Sequence, residues 1–150
     1  MARLPLAVQR MEFEGLGFSL VLAPGWKGVA MDPLNGAFIS LAERPHEAVL
    51  NLRCLLPEEQ GFALTPGSLE AQLRGREWGA PATGLLAWSA PPLLIAGASF
   101  EPAGERTEWV REWLITDGAS VASGLATPLI CLQHELTQAC EEMLRSLRFG

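Results

Sequence analysis

The chain has 150 residues, 49% of them hydrophobic, with 17 acidic and 11 basic side chains and a formal net charge of -6. That length is one domain's worth, able to bury roughly 70% of the surface its unfolded form exposes, and its apolar content argues against disorder. The cations are spread from Arg3 to Arg148 without the clustered Lys and Arg that neutralise phosphates, which argues against nucleic acid and against anionic membrane surfaces as partners.

Within residues 17–22, Phe18, Leu20 and Leu22 recur at the strand period of two. Ala23-Pro24-Gly25-Trp26 ends that strand, because Pro and Gly interrupt a ladder. Residues 27–31 read as a second strand and residues 37–41 as its return, joined through Asn35-Gly36, a two-residue hairpin signal whose two positions both take φ > 0. After the turn Glu43-Arg44-Pro45-His46, residues 48–56 form a fourth strand, in which Leu50, Leu52 and Cys54 alternate with Asn51 and Arg53: one face is dry and the other wet.

Thr65-Pro66 predicts a helix start, with Thr as N-cap and Pro at the first helical position. The helix runs to about Glu77, weakened by roughly 1 kcal/mol at Gly75 and stopped by Gly79 and Pro81. Residues 85–89 read as a short strand. A meander follows over residues 93–100, 106–116 and 119–126, with turns at Glu101-Pro102-Ala103-Gly104 and Asp117-Gly118. Thr127-Pro128 repeats the helix-start signature. Leu129, Leu132, Leu136, Cys140, Met143 and Leu147 then form one apolar helical stripe, with Glu135, Glu141, Glu142 and Arg145 on the other side. The expected fold is a single α+β domain over residues 1–150, a three-layer α/β/α sandwich with a central, mostly antiparallel sheet and two main helices.

The residues that could carry chemistry do not form a site in sequence. Ser120, Ser123, Cys54, Cys131 and Cys140 stand against only two histidines, His46 and His134, and no Gly-x-Ser-x-Gly elbow is present. Cys131 and His134 are three apart and could share a helix face, but that spacing fixes no geometry. Cys131 and Cys140, nine apart on one helix, would face nearly opposite ways, so no metal site is expected. Glu58-Glu59 and Glu141-Glu142 read as solvated charges, and no glycine-rich loop fits a phosphate cradle. No cofactor is expected. An odd cysteine count at irregular spacing suggests reduced, buried thiols.

The tryptophans are the most informative side chains. Trp26 and Trp78 sit beside Pro or Gly turns, and Trp88 lies on the short strand. Trp109 and Trp113 are four apart on a predicted strand, so they share one face with Arg111 between them, while Val110 and Leu114 line the other face with Glu112 between. Either each face is covered by a helix, or the Trp109-Arg111-Trp113 face is an exposed aromatic groove. Trp and Arg are the residues enriched at binding hot spots.

The strand Gly17-Phe18-Ser19-Leu20 followed by Pro24-Gly25-Trp26, with a late meander and a final helix ending Met143-Leu144-Arg145-Ser146-Leu147-Arg148-Phe149, resembles the PsbP-like superfamily. That group includes the Ran-binding Mog proteins, the photosystem subunit PsbP, DcrB-like bacterial proteins and the Eag adaptor chaperones of type VI secretion effectors. The resemblance implies an α/β/α sandwich with binding or scaffolding roles and no shared catalytic residues. Trp26 matches its strand-end tryptophan.

The N-terminal residues lack the continuous apolar run of a signal peptide, and no stretch reaches the roughly 18 apolar residues of a membrane span, so the cytoplasm is the expected compartment. The functional expectation is a non-catalytic protein-binding or adaptor-like module, not an enzyme. Its partner is an unidentified protein held through Trp109, Arg111, Trp113 and Trp26. The alternatives are a small-molecule-binding protein or minor enzyme with a pocket lined by Trp88 and Trp109, and a homodimer paired through a meander edge.

Overall fold

The computed structural model describes residues 10–76, 82–105 and 107–150, with backbone alone over 82–88. The described residues form two antiparallel sheets and three α-helices. Strands β1 (Arg10–Phe13), β2 (Phe18–Val21) and β10 (Arg148–Phe149) form the smaller sheet in the order β1-β2-β10. The larger sheet has seven strands: β3 (Trp26–Ala30), β4 (Ala37–Leu41), β5 (Val49–Cys54), β6 (Ala82–Ala90), β7 (Leu93–Phe100), β8 (Val110–Thr116) and β9 (Val121–Ala126). Their order is β3-β4-β5-β9-β8-β7-β6, every neighbour antiparallel. The helices are α1 (Pro66–Arg74), α2 (Pro128–Leu132) and α3 (His134–Arg145), with a 3-10 turn at Pro57–Glu59.

The strand alternation builds a core on each face of the large sheet. On one face Leu50, Leu52, Ile39, Ile95, Trp113 and Ile115 pack with the small sheet's Phe18 and Leu20 and with Leu136, Cys140 and Met143 of α3. On the other face Leu69 and Leu73 of α1 lie against Ala96, Ala98, Phe100 and Leu114. The architecture is thus the expected α/β/α sandwich, with α1 on one side and α2, α3 and the small sheet on the other.

Local departures have identifiable causes. Residues 10–13 form a strand, and Phe13 sits opposite Phe18 with ring centroids 5.0 Å apart. The β3–β4 connection is not a two-residue Asn35-Gly36 turn: only Gly36 takes positive φ there, and Asp32 Oδ1 caps the loop by accepting from Leu34 N and Asn35 N at 3.0 and 2.8 Å. Residues 117–120 likewise join β8 to β9, with Gly118 but not Asp117 at positive φ. Helix α1 stops at the Gly75 C-cap; the predicted extension to Glu77 and the stops at Gly79 and Pro81 lie outside the described residues. Thr65 Oγ1 caps it by accepting from Ser68 N at 3.3 Å, whereas Thr127 at the head of α2 makes no side-chain cap and instead accepts from Val49 N.

The expected single final helix is two. Gln133 is extended (φ -117°, ψ 112°) and separates α2 from α3. Leu132, which the stripe places inside, is 64% exposed. Arg148 and Phe149 are not helical but pair with Ser19 and Phe18 of β2.

Candidate functional site

Of the four residues singled out in the sequence, Trp26, Arg111 and Trp113 are buried, Trp113 completely. Trp109 is half-buried and precedes β8 instead of lying on it. The exposed Trp109-Arg111-Trp113 groove therefore does not exist; the alternative holds, and α3 covers this face. Trp113 lies directly across from Gly97 on β7 and Gly124 on β9. A Cβ on Gly97 would stand 2.6 Å from Trp113 Cδ1, so the indole needs the glycine to lie flat on the sheet. Trp113 Nε1 donates to Glu141 Oε2 at 3.3 Å, Arg111 donates to Ser99 Oγ at 3.0 Å and to the same Glu141 oxygen at 3.3 Å, and its guanidinium sits 5.2 Å from the indole centroid. This polar knot fastens α3 to the sheet. Among the described residues the buried Arg111 Nε has no hydrogen-bond partner. The side chains of Trp78 and Trp88 lie outside the described residues, and with them the pocket expected between Trp88 and Trp109.

The nucleophile candidates are chemically quiet. Burial pushes the thiols of Cys131 and Cys140 up to about 11 and about 12, so at neutral pH both are protonated and poor nucleophiles. His134 is exposed at the start of α3, on a different helix from half-buried Cys131, and His46 is exposed on a remote turn.

The surface that stands out is the half of the large sheet that α1 leaves open. Helix α1 packs over β6, β7 and β8, so among the described residues no helix or strand lies over the same face of β3, β4, β5 and β9. One row crosses it through successive partners: Val29, Phe38, Asn51, Leu125 and Glu112. At the edge, Val29, Met31, Leu34 and Phe38, all on the β3–β4 hairpin, are 51%, 58%, 67% and 39% exposed. Further in, Asn51 Nδ2 donates to Asn35 O at 2.8 Å and Ala37 O at 3.2 Å and pins the hairpin from below.

Beyond Asn51 lies a polar groove of about 280 Å³ with walls from the 3-10 turn and the end of α1. Arg53 holds Glu59 through two bonds of 2.8 Å, and Arg76 Nε meets Glu112 Oε2 at 2.7 Å. The Arg53 fork, with the Leu56 N–H, holds the Glu59 carboxyl down at about 2. The sequence reading missed this surface. Its signal was the wet half of the Leu50–Cys54 alternation together with Val29 and Phe38, which face the same way.

The antiparallel α/β/α sandwich is the PsbP-like fold. The solution structure of cyanobacterial PsbP (CyanoP) from Synechocystis sp. PCC 6803 superposes with a TM-score of 0.65 at 12% identity, covering 100% of this chain and 97% of that one. The crystal structure of LpqN of Mycobacterium tuberculosis, a protein involved in cell envelope biogenesis, matches with a TM-score of 0.57 at 12% identity, over 95% and 90% of the two chains. No protein-family model and no curated protein matches the chain. Among the described residues, no helix is long and apolar enough to cross a membrane.

Proposed function

We propose that the chain is a non-catalytic binding module that docks an apolar segment of a partner protein on the open half of its large sheet. The observation that carries this is the concentration of Val29, Met31, Leu34 and Phe38 on one hairpin at the sheet edge. Single exposed apolar residues are ordinary, but a contiguous patch beside a polar groove is the pattern of an interaction site. Among the described residues no strand pairs with the outer side of β3, so an extended segment can add main-chain bonds there while its side chains settle on Val29 and Phe38. The ion pairs Arg53–Glu59 and Arg76–Glu112 supply the polar end that fixes its direction. The structural relatives support the reading only through the shared fold.

The test compares capture from the native host's lysate by wild type and by Val29→Glu/Phe38→Glu, both checked for folding by circular dichroism. Burial of each apolar side chain is worth about 1.5–3 kcal/mol, so recovery of a genuine partner should drop more than about tenfold in the variant. A Trp109→Ala control should retain it. Equal recovery by wild type and the double variant would remove the proposal.

A further inference from the structure

A second cavity, about 570 Å³, lies where β1, the β6–β7 turn, the β8–β9 turn and the passage from α3 into β10 converge. Its charged lining is Arg10, Arg145, Arg148 and Asp117, and Pro91, Pro92 and Phe149 supply an apolar wall.

Arg10 is held in place: its Nη1 donates to the Ser146 carbonyl and to Ser19 Oγ, and no other guanidinium nitrogen of Arg10 bonds to the described residues. Ser146 Oγ in turn accepts from Val21 N at 2.9 Å, which ties the end of α3 to β2. Asp117 is committed to its own turn, with Oδ1 accepting from Ala119 N at 2.9 Å and Ser120 N at 2.8 Å, and these bonds keep the carboxyl ionised below its usual range. Among the described lining residues, three guanidiniums stand beside one carboxylate. The C-terminal pole of α3 offsets only about half a charge. In a chain of net charge -6, the described side chains of this lining carry a formal charge of the opposite sign.

We propose that this cleft binds a compact organic anion bearing carboxylate or phosphate groups. The guanidinium fork matches both groups bidentately, the volume lies within the usual range for small-molecule sites, and the proline and phenylalanine wall takes the ligand's carbon skeleton. The site is separate from the open sheet face, and neither proposal depends on the other.

The experiment titrates the folded protein with citrate, glucose 6-phosphate and inorganic phosphate at low chloride, by calorimetry and by amide chemical shifts. Wild type is compared with Arg145→Gln/Arg148→Gln and with Arg44→Gln, an exposed arginine on a remote turn. The expected result is saturable one-to-one binding of a carboxylate or phosphate probe, with shifts at Leu147, Arg148, Phe149 and Asp117. The double variant should weaken it at least tenfold, and Arg44→Gln should leave it unchanged. The proposal is overturned by absence of saturation with every probe up to about 1 mM, or by equal affinity in the double variant. Adsorption to phosphatidylglycerol vesicles without binding of any soluble probe would also overturn it, in favour of a lipid headgroup.

Discussion

At the scale of single residues, the most demanding contact is Trp113 over Gly97. A Cβ at Gly97 would meet Trp113 Cδ1 at 2.6 Å, Trp113 Nε1 at 2.8 Å and Arg111 Nη2 at 2.9 Å, whereas one at Gly124 would touch Trp113 Cε3 at 3.4 Å, an ordinary contact. The two glycines flank the same indole on neighbouring strands, so they form a matched pair. Gly97→Ala should cost about 2 kcal/mol through overpacking, a fall of roughly 6 °C in Tm for a domain of this size. Gly124→Ala should stay within about 1 kcal/mol of wild type, because alanine also restores strand propensity. Urea denaturation of the two variants decides the point: equal losses would mean that the indole does not rest on Gly97. The sequence had a readable sign of this arrangement, since a glycine inside a strand often marks the close approach of another group. What it lacked was the register that pairs Gly97 with Trp113, and so the exposed reading of the tryptophan stayed open beside the buried one.

Among the elements, the break at Gln133 shows where periodicity misleads. The apolar spacing continues unbroken from Leu129 to Leu147, but the backbone does not follow it: Leu136 N and Thr137 N both donate to Gln133 O, which restarts the helix, and Thr137 Oγ1 donates to the Ile130 carbonyl that the break leaves open. A continuous helix would bury Leu132 and Leu136 on one face; here Leu132 projects outward and Leu136 is buried. Leu136→Ala should therefore cost about 2–4 kcal/mol, and Leu132→Glu less than about 0.5 kcal/mol. Comparable losses at both positions, measured by chemical denaturation, would restore the single helix. Strands β2 and β5 were legible from their alternation, and β4, β7 and β9 from the Gly and Pro turns that bound them. Strands β1 and β10 were not, because each is short and gains its identity from pairing with β2. The open half-face was hidden for a related reason. Which strands α1 covers depends on β9 inserting between β5 and β8, a long-range choice that no local pattern records.

For the molecule as a whole, the pKa shifts define a plateau of stability with two edges. On the acid side, Arg53 holds Glu59 at about 2 against an ordinary 4.5, and hydrogen bonds lower Asp32 and Asp117 below 3.8. The unfolded chain takes up these protons first, so stability present above pH 4.5 is lost as pH falls towards 2. On the alkaline side the sign reverses. Burial raises Cys131 to about 11 and Cys140 to about 12 from an ordinary 9.0, so the unfolded chain sheds its thiol protons first and stability declines as pH rises above 9.0. The urea midpoint should be nearly level between these limits and fall beyond each. Glu59→Gln should flatten the acid limb, because the amide neither titrates nor loses a charge there. Cys131→Ala should flatten part of the alkaline limb at a smaller packing cost than a change at fully buried Cys140. If the acid limb of Glu59→Gln ran parallel to wild type, the Arg53–Glu59 pair would hold no proton-linked stability. The polar end of the open sheet face would then owe its shape to the backbone alone.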